Sequence, residues 1–374
     1  MAQTFSIKGT VTDAITKQPL SGAVVFINYS SKASISDSAG NFIINDVTEK
    51  YCDLIVHKQG YENIEYRFSY QANPKNIHFL AIQQIIDSSF NQSNDLIEMN
   101  LQKWSSFFMQ NFVGLSLNAN QCVLTNPKAL RFYYDSVSES FAANATEPLL
   151  IFNEGLGYMM NFVLDEFIIK SKGESYLRGY VWYKNLSSKN PEVLKKWQQR
   201  RIDAYNGSAL HFMRSLYQNK IVDDGFEVRE VIKLYDDDPL YSSAFNKKNI
   251  KTGIERIKTS DDKIIDKNYV EWVEKNKLSA DYFFKYDSSN QYFYLNTNHV
   301  LQITYKKGVE DYAYTVRNNT DGSFPISYIA VNNDEHKIRV ENNGAYYDIW
   351  DLIKDGYWRW LKLADQLPID FGEK

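Results

Sequence analysis

Apolar residues repeat with two periods along this chain, and the change from one to the other marks out its elements. In residues 5–82 the apolar runs are short: 5–11, 23–28, 41–45, 54–57, 61–68 and 77–82. Turn signals at Lys17-Gln18-Pro19, Asp37-Ser38-Ala39-Gly40 and Gln59-Gly60 separate them. Strands of this length and spacing predict a β-sandwich. Residues 83–94 are polar and read as a link. After it, Ile97, Leu101, Trp104, Phe108 and Phe112 fall on one face of a helix, which Ser93 or Asn94 would cap and Gly114 would end.

The two-residue period returns in 129–135, 139–144, 149–153, 156–169 and 176–182, which predicts an antiparallel meander. Residues 190–219 then form the one strongly helical island of the second half. Asn190 can cap it, Pro191 suits the first helical position and Glu192 faces the positive end of the dipole. Asn206-Gly207 interrupts the run and Ser208 can cap a second helix, so a helical pair is expected. A strand follows at 226–235, whereas 236–279 is charged, poorly periodic and read as a solvated loop. Strands are expected again at 282–286, 291–295, 300–305, 312–316, 326–331 and 337–341, with a short helix at 357–365 that Pro368 stops.

The expected fold is therefore mainly β: a sandwich in 1–82, a linker and junction helix in 83–117, and a larger antiparallel β-rich domain in 118–374 with the helical pair inserted at 190–219. Composition supports it, since 27 Tyr and 22 Phe in 374 residues are an aromatic excess that strands favour. A formal net charge of −4 gives no electrostatic reason for a nucleic-acid partner. No apolar run reaches the ~18 residues of a membrane-spanning helix. The amphipathic junction helix carries only Lys103 as a basic residue, which argues for packing over a membrane surface. Cys52 and Cys122 are open to either a bridge or two thiols.

Lys8-Gly9-Thr10-Val11-Thr12-Asp13, Thr16 and Gln18-Pro19-Leu20-Ser21-Gly22-Ala23-Val24-Val25 resemble the opening of the carboxypeptidase regulatory-like domain, a transthyretin-like β-sandwich. Ser36-Asp37-Ser38-Ala39-Gly40-Asn41-Phe42 and Lys58-Gln59-Gly60-Tyr61 resemble its later turns. The resemblance covers about the first fifth of the chain. It implies a structural or interaction module in an exported bacterial protein of the periplasm or outer membrane, and Met1-Ala2-Gln3 ahead of the first strand reads like the remnant of a removed export signal. A weaker resemblance, carried by Trp197, Arg200-Arg201, Ala204 to Ser208, His211 to Tyr217, Gly225-Phe226 and Gly356-Tyr357-Trp358, is to longer bacterial proteins with one such module at the N-terminus.

Peptidase zinc chemistry has no carrier here, because none of His57, His78, His211, His299 and His336 belongs to an HExxH pair. The carboxylate runs Asp236-Asp237-Asp238 and Asp261-Asp262 lack the spacing of a calcium loop. No cofactor, metal or catalytic group is therefore assigned. In the helical pair Arg201, Tyr205, His211 and Arg214 are left without an evident structural duty and are the candidate binding residues; pairing of the arginines with Asp203 or Glu227 is the commoner alternative. The expected function is non-enzymatic: an envelope accessory protein that binds or scaffolds another envelope protein. A glycan-binding module would instead present a flat strip of Trp182, Trp272, Trp350, Trp358 and Trp360, and a hydrolase would draw on Glu154, Asp165 and Glu166.

Overall fold

The computed structural model describes residues 4–71, 76–83, 96–170, 175–258, 264–332, 335, 337–347 and 351–372. The fold is mainly β, and the chain forms two compact units, Met1–Ala204 with Lys362–Lys374, and Tyr205–Leu361. The expected limits at 82 and 117 fall inside the first unit, and the division between units runs through the helical pair.

The first unit opens as the expected sandwich. One sheet holds β4 (Asn41–Val47), β1 (Phe5–Asp13) and β7 (Asn76–Ala81) in that order; the other holds β3 (Ala33–Ile35), β2 (Val24–Ile27), β5 (Tyr51–His57) and β6 (Ile64–Ser69). Alternation sets the faces: Ile7, Val11, Phe42, Ile44 and Phe79 point inward to meet Val25, Ile27, Leu54 and Val56. Gly9 is needed on that inner face, because a Cβ there would lie 2.1 Å from the Ile77 carbonyl oxygen. At the end of β1 the Asp13 carboxylate accepts the N–H groups of Thr16 and Ile15 and the Tyr61 hydroxyl, and these bonds hold its pKa down at about 2.

A seven-stranded sheet follows: β8 (Leu96–Met99), β10 (Leu130–Asp135), β11 (Ser140–Ala145), β13 (Tyr158–Lys170), β12 (Leu149–Asn153) and β9 (Cys122–Leu124), with β14 (Ser175–Asn185) along the other side of β13. It departs from a plain meander because β13 is 13 residues long, enough for β12 and β11 to pair with its two halves on one side. The junction helix α1 (Leu101–Phe112) begins later than expected. Asn100 caps it by accepting the Lys103 N–H at 3.0 Å, while Leu96–Met99 pair antiparallel with β10. Ser93 and Asn94 lie outside the described residues. Phe108 and Phe112 of α1 are fully buried against Phe132, Phe162 and Phe167, with ring centroids 4.8–5.5 Å apart.

Sandwich and sheet share a buried seam. Phe26 and Ile55, on the outer face of β2 and β5, pack with Val163, and the Phe26 ring lies tilted against Trp182 with centroids 4.6 Å apart. The Tyr29 N–H donates to the Val181 carbonyl and the Tyr183 N–H to that of Ser30. The C-terminal tail completes the unit: Asn153 donates to the Ala364 carbonyl, and Ser116 and Asn118 both donate to Asp365. Cys52 and Cys122 are not bridged to each other, and burial pushes the Cys122 thiol up to about 12.

In the second unit a six-stranded sheet runs β16 (Lys251–Lys258), β17 (Ile264–Lys277), β15 (Phe226–Tyr235), β20 (Val300–Tyr305), β21 (Ile326–Val331) and β23 (Leu352–Gly356). A smaller sheet holds β18 (Phe284–Asp287), β19 (Tyr292–Asn296) and β22 (Lys337–Val340), and two single-turn helices, α4 (Tyr241–Ala244) and α5 (Ala280–Phe283), precede β16 and β18. Helix α3 (Ala209–Tyr217) supplies Phe212, Met213 and Leu216 to the core, where they meet Phe226, Val228, Leu301, Ile329 and Trp358.

Three expectations are corrected here. The solvated loop of 236–279 is largely the β16–β17 hairpin, since Val270 and Trp272 are buried and the charges pair across strands, Lys233 with Glu255 at 2.5 Å and Arg256 with Asp266 at 3.1 Å. Asp261-Asp262 lies outside the described residues. The strand expected at 312–316 is helix α6 (Tyr312–Asn318), whose first turn Asp311 caps by accepting the Ala313 N–H at 2.7 Å. The tail helix is shorter than expected: α7 (Tyr357–Trp360), then a separate 3₁₀ turn at Leu363–Asp365.

Candidate functional site

The first helix of the pair, α2 (Pro191–Tyr205), starts where expected, with the Asn190 side chain accepting the Glu192 N–H at 3.0 Å. Trp197 and Arg201 lie one turn apart and act on one short segment. The indole N–H of Trp197 donates to the Glu154 carbonyl at 2.7 Å. Arg201 donates to the carbonyls of Leu156 at 2.7 Å and Gly157 at 2.9 Å, and its guanidinium sits 3.9 Å above the Tyr158 ring. Half-buried Arg201 is thus a clamp on the turn between β12 and β13, its Nε and one Nη2 hydrogen committed to main-chain carbonyls.

The other three candidates belong to the second unit and meet around Gly207. Its φ of +79° and a Tyr305 ring atom 2.6 Å from any added Cβ restrict the position to glycine. The Gly207 N–H donates to His211 Nδ1 at 3.1 Å, and its carbonyl accepts the Trp358 indole N–H at 2.7 Å. Ser208 caps α3 by accepting the His211 N–H. His211 lies 4.5 Å from the Tyr205 ring and makes edge contacts with Phe226 and Tyr305. Because Nδ1 is an acceptor, the neutral ring carries its proton on Nε2, which faces Asp224 Oδ2 at 3.8 Å. Burial holds His211 down at about 4 against the opposing pull of Asp224.

A Ser, a His and an Asp converge here in the wrong order for a nucleophile. Ser215 Oγ lies 2.6 Å from Asp224 Oδ2 and 2.9 Å from the His211 carbonyl oxygen, so its proton goes to an oxygen and the imidazole cannot remove it. Arg214 mirrors Arg201: its Nε donates to the Asn343 carbonyl at 2.7 Å, and the guanidinium lies 5.4 Å from the Tyr205 ring centre. The expected acid partners are engaged elsewhere, Asp203 with Gln199 and Glu227 with Lys277 and Arg229. The structure thus gathers Tyr205, His211 and Arg214 and places Arg201 against the turn after β12, each in a packing role.

The hydrolase candidates do not converge. Asp165 and Glu166 are consecutive on β13, Asp165 pairing with Arg178 at 2.5 Å, and Glu154 lies in the turn before that strand. The seven steps of strand from Tyr158 to Asp165 span roughly 20 Å. Trp272 and Trp358 are buried, Trp182 lies tilted against Phe26 and the Trp360 indole N–H is buried, so these four form no flat exposed strip; Trp350 lies outside the described residues. Among the described residues no group of three His, Cys, Asp or Glu could hold a metal.

One feature that the sequence reading passed over is on the sandwich. The outer face of the β4-β1-β7 sheet is an open trough of about 590 Å³. Lys8, Thr10, Ile43 and His78 of that sheet line it together with Ile35 of β3. Thr10 Oγ1 is 2.5 Å from His78 Nδ1, and Thr12 Oγ1 is 3.4 Å from Nε2. The signal was present in the alternation of β1, which sends Lys8, Thr10 and Thr12 opposite to Ile7, Gly9 and Val11.

Two stacked sheets with this strand order define a small β-sandwich module at the N-terminus. Residues 7–89 match the family model of the CarboxypepD_reg-like domain, and this part of the chain is such a domain. No curated protein matches the chain.

Proposed function

We propose that this chain is a non-enzymatic accessory protein of the cell envelope that binds or scaffolds another envelope protein. The CarboxypepD_reg-like domain carries the reading, since domains of this kind typically serve interaction. Its support here is that one face of the domain is sealed by β13 and β14 while the opposite face stays open as the trough. The titratable side chains of the helical pair add to it, because Arg201 and Arg214 each hold a main-chain carbonyl and His211 is a neutral donor with its other nitrogen occupied. An export route and a periplasmic or outer-membrane setting belong to the same proposal, and among the described residues no helix is long and apolar enough to cross a membrane.

Affinity capture with the full chain from membrane and periplasmic fractions tests the reading. A partner recovered in stoichiometric amount through a salt wash is expected. Recovery of the chain alone from every fraction, or turnover of an envelope substrate by the purified chain, overturns it.

A further inference from the structure

We infer that the second unit holds a binding site for a small aliphatic carboxylate, in the cleft where β17 leaves the first residues of β15. The site stands apart from the accessory-protein reading, which the capture experiment decides on its own.

Register makes the cleft. Pairing of β15 with β17 ends at Arg229 and Lys277, and the Leu278 N–H donates once more, to the Val228 carbonyl, before the chain turns away. Residues 226–228 therefore run past β17 on one side while β20 continues beside them on the other. The preceding turn folds back over the gap, the Phe226 N–H donating to the Ile221 carbonyl at 2.7 Å. What is left is a cleft of about 190 Å³ with Ile221, Val222, Val228 and Leu278 among its apolar walls. A cavity of roughly 150 Å³ holds benzene, so a group of about six carbons fits.

Charge selects an anion. Glu227 is the one carboxylate of the lining, and both its oxygens are taken, Oε1 by Lys277 at 2.6 Å and Oε2 by Arg229 at 3.1 Å. The Lys277 hydrogen bond, with the charges of Lys277, Arg229 and Lys306, holds Glu227 below the usual carboxylate range. It is ionised at neutral pH, one negative charge among three positive ones. Lys306, also in the lining, meets no carboxylate among the described residues; its ammonium lies 3.7 Å from the Phe324 ring centre. Of the acids nearest in sequence, Asp224 faces Ser215 and His211, Glu230 faces His299, and Lys307 stands beside Asp223.

Shape and donor type narrow the anion. Val222 is 79% exposed at the lip, next to buried Ile221, so an alkyl group entering the cleft covers apolar surface that water now meets. Inorganic phosphate would leave it uncovered. The nearby guanidinium, Arg229, is committed to Glu227, so the planar fork that suits phosphate is not offered. A carboxylate needs only the point charge of a lysine. This chemistry arrives either as a free short-chain acid or as the C-terminal residue of a protein chain.

Ligand-observed NMR titration of the full chain with isocaproate tests the site, with isocaproamide, acetate and inorganic phosphate as comparisons. Saturable binding of isocaproate is expected, about tenfold or more tighter than the amide or acetate. Lys306→Gln should weaken it about tenfold, and Val222→Asp should weaken it through the lip; both positions are exposed, and unchanged melting curves confirm that the fold is kept. Glu227→Gln has the opposite sign, because it removes the one competing carboxylate, and should tighten binding severalfold. No saturable binding, equal binding of acid and amide, phosphate bound as tightly as isocaproate, an undiminished response in Lys306→Gln, or weaker binding by a Glu227→Gln chain of native melting curve each overturns the inference. A capped peptide ending in a free Leu carboxylate tells the sources apart. Tighter binding of the peptide assigns the cleft to a chain terminus, tighter binding of isocaproate assigns it to a small molecule, and either result keeps the site.

Discussion

Gly207 shows how a residue that reads as a helix break becomes the point around which its neighbours are fixed. Both of its main-chain polar groups are held by side chains, His211 and Trp358, and the Tyr305 ring occupies the space of a β-carbon. Gly207→Ala meets both the positive φ and the ring, and a loss of about 2–3 kcal/mol in urea unfolding is expected; a change below about 0.5 kcal/mol would refute the strain argument. His211 gives a second expectation. Its folded pKa near 4 is below the ordinary 6.5, so as pH falls the unfolded chain takes up the proton first and the folded state loses stability between those two values. The contribution is on the order of 2–3 kcal/mol. Urea midpoints at pH 4.5 and 7 should therefore diverge less in His211→Gln than in the native chain; equal divergence would show that other groups carry the acid sensitivity.

At the scale of elements, capping decides where periodicity alone is ambiguous. The stretch Tyr312–Asn318 is rich in aromatic and β-branched residues, which reads as a strand, yet Asp311 satisfies the first amides and α6 forms. Removing that cap with Asp311→Ala should cost about 1 kcal/mol and raise hydrogen exchange within α6 before any global opening; unchanged exchange there would mean that packing of Tyr314 on Tyr357 and Trp360 holds the helix. The same competition explains what could be read from sequence. The sandwich strands and the starts of α2 and α3 were legible because alternation, Asn190, Pro191 and Ser208 all point one way. The start of α1 was not, since Asn94 and Asn100 are both competent caps and only the edge of β10, far along the chain, selects Asn100. The β16–β17 hairpin was hidden by its charges, which pair across strands and not along them. For the candidate site, sequence located the cluster and missed its chemistry. The partners of Arg201 and Arg214 are the carbonyls of Leu156, Gly157 and Asn343, and main-chain acceptors 44–129 residues away leave no trace in side-chain spacing.

On the scale of the whole molecule, the first unit is discontinuous in sequence, and its closing segment makes a testable contribution. Residues 362–374 return to it after the excursion through Tyr205–Leu361. The Ala364 N–H donates to the Val113 carbonyl, the Ala364 carbonyl accepts from buried Asn153, and Asp365 accepts from buried Ser116 and from Asn118. Further along, the Ile369 N–H donates to the Tyr29 carbonyl and Asp370 accepts the Ser31 N–H at 3.0 Å, so one short tail ties the sandwich to the second sheet's helix and turns. Truncation after Leu361 would leave the buried Asn153 amide and Ser116 hydroxyl without these acceptors. At about 1–3 kcal/mol for each buried group left unpaired, the loss approaches ~5 kcal/mol, a large part of a typical domain's stability. Hydrogen exchange on the truncated chain should then show protection falling through β1, β5, β12 and β13 while β15, β20 and β21 retain theirs. An equal fall in both sets of strands would mean that the two compact units unfold as a single cooperative block, and the tail would have to be counted as a support of the whole chain and not of the first unit alone.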